Sequence, residues 1–325
     1  MNDWKTTAKK MYRHHQAYRK IAECVGKPED EVREFLKSEK TKQSEQSEQS
    51  EQSAAKNKTG RFTVFENLDP TTHIQEWSGN RVLSFGLISD THINSKYTQL
   101  TYLQKFYEVC SRRGIKDIYH AGDIDEGEQM RTGHQYECYT QGADDHINEI
   151  VTNYPRIDGI TTHFITGNHD SSIYKRCGVD IGKIISMKRK DMKYLGRDCA
   201  RIEITPNCIL ELRHPWDGIA YALSYKPQKM IDAMEADSKP NILAIGHYHK
   251  LEYLFYRNVH CFQAGCFQTQ TPFTRGKGIS VHLGGWIITI EVDKRGYIQR
   301  IVPEMIPFYK GIDSDYKNWN RSPND

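Results

Sequence analysis

A chain of 325 residues with a formal net charge of +3 is long enough for one large domain with a small appendage, and its near balance of charge neither demands nor excludes a nucleic-acid partner. No apolar run approaches the roughly 20 residues that span a bilayer, and the opening Met-Asn-Asp-Trp-Lys lacks the apolar core of a signal peptide, so a cytoplasmic location without a membrane partner is expected. The eight cysteines never fall as Cys-x-x-Cys, which argues against a zinc ribbon or a disulfide framework and leaves most of them as buried small hydrophobes.

From the start of the chain, Ala17 to Leu36 spaces Ile21, Ala22, Val25, Val32 and Phe35 for two short apolar-faced helices around a turn at Gly26, with Pro28 in the first turn of the second. This pattern is helix-turn-helix-like and predicts a small all-α module over residues 1–42. Lys5, Lys9, Lys10, Arg13, Arg19 and Lys20 stand against the single nearby acid Asp3, an excess suited to a phosphate backbone, so DNA contact is expected of the module. Glu29, Asp30 and Glu31 open the second helix, where they complement its dipole but repel phosphate at the end that normally enters a groove, and protein docking is the alternative. Residues 43–53 repeat Gln-Ser-Glu, too polar to bury enough surface to offset the entropy of ordering, and residues 43–60 are predicted to be a flexible linker.

Beyond the linker, a main domain is expected over residues 61–310, followed by a polar tail over 311–325. Short apolar runs at Arg81–Ser89, Asp117–His120, Ile160–Thr166, Cys208–Arg213 and Asn241–Ile245 read as strands. Helical stretches lie between them at Tyr97–Arg112, Ala143–Asn153, Asp180–Met187 and Lys226–Ala236. From Tyr253 the chain turns strand-rich, with Val259–Ala264, Trp286–Val292 and Tyr297–Val302 as candidates. The alternation implies a mixed α/β sandwich with polar residues gathered at strand ends, where open α/β sheets place their sites.

Five such polar clusters occur in order: Asp90-Thr91-His92, Gly122-Asp123, Gly167-Asn168-His169-Asp170, His214 and Gly246-His247-Tyr248-His249. All their donors are oxygen or imidazole, a set suited to borderline-to-hard divalent metals such as Mn²⁺, Fe²⁺ or Zn²⁺. The period-two spacing of Asp90 with His92 and of His247 with His249 puts each pair on one face if strand geometry continues. In this order the residues resemble the calcineurin-like metallophosphoesterase superfamily, over roughly residues 81–290. The resemblance extends more loosely to metallophosphoesterases carried by bacterial viruses.

The resemblance implies a four-layer α/β/β/α sandwich holding two divalent ions, Mn²⁺ first, with Fe, Zn, Ni or Mg as alternatives. It implies that Asp90, His92, Asp123 and His249 hold one ion, that Asp123, Asn168, His214 and His247 hold the other, and that Asp123 bridges. A hydroxide shared by the ions would attack phosphorus. His169 would donate to the phosphate or leaving group, with Asp170 orienting its imidazole. His214 is followed by Pro215 rather than the more usual glycine, and it is preferred to His163, which lies inside a strand. His120, His134, His146, His260 and His282 have no ligand spacing and are expected to be ordinary polar or core residues. The insert from Asp125 to Asp145, with Gln129, Arg131, His134, Gln135 and Tyr139, forms either a wall facing substrate or a solvated loop. Lys226, Arg275 and Lys277 are cations that either meet a substrate phosphate or stay at the surface. The expected activity is that of a phosphodiesterase or nuclease on nucleic acid. A phosphatase or phosphodiesterase for a small molecule, cyclic nucleotide or phosphoprotein, and a DNA-binding scaffold with a relic body, are the alternatives.

Overall fold

The computed structural model describes residues 4–5, 18–35 and 72–319, and the chain divides into two compact units, residues 1–66 and 67–325. In the first, helix α1 (Tyr18–Val25) turns at Gly26, whose φ of 66° is the left-handed region open to glycine, into a helical stretch at 29–35. Ile21, Ala22 and Val32 form its buried core, and Trp4 meets Phe35 edge-on with ring centroids 5.3 Å apart. Lys9, Lys10, Arg13 and the 43–60 linker lie outside the described residues.

The second unit is built on two six-stranded sheets. One sheet contains β2 (Val82–Ile88), β3 (Asp117–His120), β4 (Thr161–Thr166) and β5 (Met192–Arg197), which run parallel, with β11 (Leu283–Val292) and β12 (Ile298–Phe308) added antiparallel beyond β2. The crossovers carry α2 (Leu100–Arg112), α3 (Ala143–Asn153), α4 (Asp170–Cys177) and α5 (Ile181–Lys188), since parallel neighbours need a helix-length connection. The other sheet takes β1 (Thr72–Ile74), β6 (Cys199–Thr205), β7 (Cys208–Arg213), β8 (Ile242–Ile245), β10 (Val259–Ala264) and β9 (Leu251–Tyr256), in that spatial order.

Period-two alternation stacks the layers. In β2, Phe85 and Leu87 enter the core between the sheets with Leu210, Leu212 and Phe262, while Ile88 packs outward on Leu103, Phe106 and Ile147 from the helices. In β8, Ile242 and Ala244 face the other sheet, and Leu243 and Ile245 pack on Ile231 of α6 (Tyr225–Asp232). The result is the expected helix, sheet, sheet, helix order. Two short helices complete the unit, α7 (Pro272–Gly276) and α8 (Asp315–Trp319).

Several boundaries differ from the sequence reading. Helix α2 starts at Leu100 rather than Tyr97, because Ser95 and Thr98 bridge to Cys138 and Gln268 and are held in loop pairing. Residues 315–319, inside the stretch read as a polar tail, form a helix whose Asp315 and Tyr316 are buried. Asp315 accepts from the Thr101 N–H at 2.8 Å and from its hydroxyl at 2.5 Å, satisfying the first turn of α2, whose Gln99 makes no side-chain cap. No described helix is long and apolar enough to cross a membrane.

Candidate metal centre and active site

The motif residues stand on loops leaving the strands, except Asp170, which opens α4. Asp90 and His92 follow β2, Asp123 follows β3, and Asn168 and His169 follow β4, whereas His214 follows β7 of the second sheet and His247 and His249 lie between β8 and β9. Five of these side chains ride on left-handed backbone: Asp90 (φ 52°), His92 (47°), Asp123 (55°), His247 (75°) and His249 (55°). For a residue with a Cβ this region is sparsely populated, and each instance costs on the order of 1–3 kcal/mol that the surroundings must offset.

The loops bring the donors together in two groups, Asp90 with His92 and His249, and Asp123 with His214 and His247, each with one donor atom per residue within 4.8 Å of the others. In the first, His92 Nε2 lies 3.1 Å from His249 Nε2, and both lie near Asp90 Oδ1, at 3.7 and 3.3 Å. In the second, His214 Nε2 is 3.1 Å from both Asp123 Oδ2 and Asn168 Oδ1. Asp123 also groups with His92 and His169, so its carboxylate stands between the two sets. Three motif glycines enclose His214: a Cβ on Gly122, Gly167 or Gly246 would meet its ring closer than 3.0 Å.

Two imidazoles are held by hydrogen bonds to carbonyls, and a third has a carboxylate beside it. His214 Nδ1 donates to the Ala121 carbonyl at 2.7 Å, His247 Nε2 donates to the Asp217 carbonyl at 2.7 Å, and His92 Nδ1 lies 3.0 Å from Glu126 Oε2. A carbonyl only accepts, so the first two rings carry a proton on the nitrogen that meets it, and His214 turns its other nitrogen, Nε2, to Asp123 and Asn168, as ligating imidazoles do. This donor set fits divalent cations. Two imidazole nitrogens 3.1 Å apart beside one carboxylate oxygen share at most one proton, whereas a cation between them would use both lone pairs and the carboxylate.

The charges agree. Burial works against the cationic forms of His214 and His249, yet the Asp123 and Asp90 carboxylates outweigh it and hold the imidazoles up at about 9 and about 10. His247, buried beside His214, is pulled down to about 4. Burial would raise Asp90 and Asp123, but the surrounding histidines hold both below the usual carboxylate range. Protons on His214 and His249 supply the positive charge that the carboxylates require.

His169 Nδ1 donates to the Glu126 carbonyl at 2.5 Å, its N–H donates to Asp123 Oδ1 at 2.9 Å, and the residue lines the cavity of about 280 Å³ over the donors. The expected support from Asp170 is corrected. The Asp170 carboxylate accepts from the backbone N–H groups of Gly167 (2.7 Å), Asp125 (2.9 Å) and Ile124 (3.3 Å), so it ties the β3 and β4 loops together and does not touch the His169 ring. The reason is geometric: at the first position of α4 its side chain points to the preceding Gly167 and to the loop after β3, whose backbone N–H groups have it as their acceptor.

Glu126 and His134 were missed as a pair. Glu126 is buried, accepts from Gln268 Nε2 at 2.5 Å, and its Oε1 lies 2.8 Å from His134 Nε2. His134, expected to be an ordinary residue, groups with Glu126 and His169. A carboxylate three residues after Asp123 was the available signal. From the insert, Arg131 lines the cavity and stacks on Phe273 at 4.8 Å, with its Nε buried and unpartnered. Among the remaining candidates, His163 pairs with Asp117 at 2.7 Å, at the far end of the strands. His146 pairs with Asp125 at 2.7 Å. Lys226 is engaged by Asp217 at 2.5 Å, and Arg275 faces a different cleft.

The sequence profile of the calcineurin-like phosphoesterase superfamily domain matches residues 83–280. The chain is 26% identical over 266 aligned residues to the DNA polymerase II small subunit of Methanothermobacter thermautotrophicus, a match covering 67% of this chain and 54% of that protein. The chain thus spans about half the length of that relative. Among solved structures it is similar to a novel archaeal phosphodiesterase, at 14% identity and a TM-score of 0.38 over 69% of this chain and 100% of that one. It is also similar to zinc-complexed Vps29 of Entamoeba histolytica, at 15% identity and a TM-score of 0.34 over 69% and 99%.

Proposed function

The chain belongs to the calcineurin-like phosphoesterase superfamily, and from that premise we propose that it hydrolyses phosphodiester bonds in nucleic acid at a centre for two divalent cations. The observation that carries the reading is the pair of facing donor groups, Asp90, His92 and His249 against Asp123, His214 and His247, with the Asp123 carboxylate between them. Asn168 Oδ1 joins the second group through its approach to His214. Two cations held there would polarise a phosphoryl oxygen and acidify a water, Mn²⁺ being the first to test.

The protein's own groups do the rest. His169 keeps its Nδ1 proton on the Glu126 carbonyl, which leaves Nε2 to act. To protonate a leaving oxygen, that ring must become cationic. Burial opposes this while the Asp123 charge favours it, and an anionic phosphate in the cavity adds to Asp123. Arg131, whose Nη2 pairs with Glu137 at 2.5 Å and whose Nε is unpartnered, brings a guanidinium to the cavity wall where a phosphate oxygen would lie. Ile219, Phe273 and Ile279 make an apolar side of the same cavity, against which an organic ester group would pack. Similarity to a DNA polymerase small subunit supports nucleic acid as the substrate class.

The test is a substrate panel in Mn²⁺, with bis-p-nitrophenyl phosphate, p-nitrophenyl phosphate, and single- and double-stranded DNA. Diester and DNA cleavage, abolished in Asp123→Ala, is the expected result. Robust monoester turnover with no nuclease activity would sink the nucleic-acid reading. His169→Ala should lower kcat by about 10²–10⁴-fold with metal content unchanged, and loss of metal in that variant would overturn its assigned role.

A further inference from the structure

A second cleft is distinct from the cavity over the donor groups. It measures about 1410 Å³ and lies between the loop after β2, the Cys138–Tyr139 stretch, the loop leading into β11 and the segment from Met305 to Lys317. The loop carrying α7 is a wall common to both. Gln268, Thr271 and Phe273 face the donor cavity, while Thr269, Gln270 and Arg275 face the cleft.

Lys96, Arg275 and Lys317 line the cleft against the single carboxylate of Asp313. All three are exposed, and none forms an ion pair with a described carboxylate. Tyr97 and Tyr309 line it too; Tyr309 is 95% exposed, and neither ring stacks on another ring of the described residues. Cations and free aromatic faces in one groove match a flexible single strand, whose phosphates meet the charges and whose unstacked bases meet the rings. A duplex keeps its base faces stacked and offers the rings nothing. A protein segment favours a groove with few charges at its centre, and a small molecule needs only about 300–1,000 Å³.

We propose that this cleft binds a single-stranded segment of nucleic acid, its phosphates against Lys96, Arg275 and Lys317 and its bases against Tyr97 and Tyr309. The proposal deepens the nucleic-acid reading and rests on it for its purpose, because a strand held behind the common wall is retained beside the hydrolytic centre. Its measurement does not depend on catalysis.

The experiment is fluorescence anisotropy of the full-length chain in EDTA with labelled oligothymidylate of about 12 nucleotides, within the usual range for single-strand grooves. Arg275→Ala/Lys317→Ala should weaken binding about tenfold or more at low salt and flatten the dependence of log K on log salt by about 1.4, two phosphates at roughly 0.7 each. Tyr309→Ala should weaken it about fivefold or more. Both variants should hydrolyse bis-p-nitrophenyl phosphate at the wild-type rate, since that substrate does not reach the cleft. No binding by the wild type, unchanged affinity and salt slope in the double variant, or tighter binding of a duplex of equal length would each overturn the proposal. Cleft-dependent binding without diester hydrolysis would remove the proposed activity and leave the cleft standing, and hydrolysis without cleft-dependent binding would do the reverse.

Discussion

Glu126 is placed to act on a cation in the proposed centre through His92. Its carboxylate lies 3.0 Å from His92 Nδ1 without a hydrogen bond and is fixed by His134 and Gln268, so its charge holds up the basicity of the imidazole in front of it. Glu126→Gln keeps the shape and removes the charge. Its metal affinity should fall about 10–100-fold, read by titrating the purified metal-free protein, and unchanged affinity would show the contact to be packing alone. The proton count gives a second expectation. In the metal-free chain His214 and His249 sit at about 9 and about 10, raised above the ordinary 6.5. Stability from these two charged imidazoles is therefore complete below about 6.5 and is lost as pH rises through the raised values. Metal-free protein should melt at progressively lower temperature from near neutrality to above pH 10, and metal uptake at pH 8 should release protons that an indicator dye detects. The candidate ligand positions were readable because each is a polar residue at the end of an apolar run, in an order that resembles a known family's. Glu126 and the true partners of Asp170 were not, because they depend on which loops meet across the sheet ends, and Asp-Ile-Asp-Glu at 123–126 looks the same whichever carboxylate turns inward.

At the level of loops and helices, the motif glycines act through the space they leave. A Cβ on Gly246 would run into Ser89 Oγ and the Ala121 carbonyl as well as the His214 ring. Gly246→Ala should cost about 1–3 kcal/mol from overpacking and displace His214, so the variant should melt lower and bind less metal. Wild-type values for both would show that the loops have slack. Helix α2 depends in the same way on a distant element. Asp315→Ala removes the acceptor for Thr101 and should cost about 1–2 kcal/mol, or roughly 2–8 °C in Tm, without altering the rate on a small diester. That dependence explains why α8 escaped the sequence reading: five residues, Asp315–Trp319, carry no periodic pattern, and the segment is held by distant partners, the first turn of α2 for Asp315 and the helix-side core, Tyr139 and Glu149 for Tyr316. β5 and β6 were missed for another reason. Arg201 and Glu203 alternate with Ala200, Ile202 and Ile204 in β6, a legible strand pattern, and Gly196 and Asp198, both at positive φ, mark the turn before it, but the Lys193–Asp198 stretch that holds β5 carries few apolar residues.

For the molecule as a whole, the two units make separable predictions. A chain beginning at residue 67 retains β1, both sheets and every donor residue, so it should hydrolyse bis-p-nitrophenyl phosphate at the full-length rate. A large loss would mean that the first 66 residues are part of the catalytic body. The sheets themselves carry a further consequence. Asp90, His92, Asp123 and Asn168 leave one sheet, and His214, His247 and His249 leave the other, so any ion they hold rivets the two halves of the sandwich at one edge. A ligand at 100 times its Kd adds about 2.7 kcal/mol to stability, and here that gain must appear as resistance to the sheets parting. The melting curve of this protein is therefore a readout of which ion it prefers: Mn²⁺, Fe²⁺, Zn²⁺, Ni²⁺ and Mg²⁺ can be ranked by thermal shift before any substrate has been found.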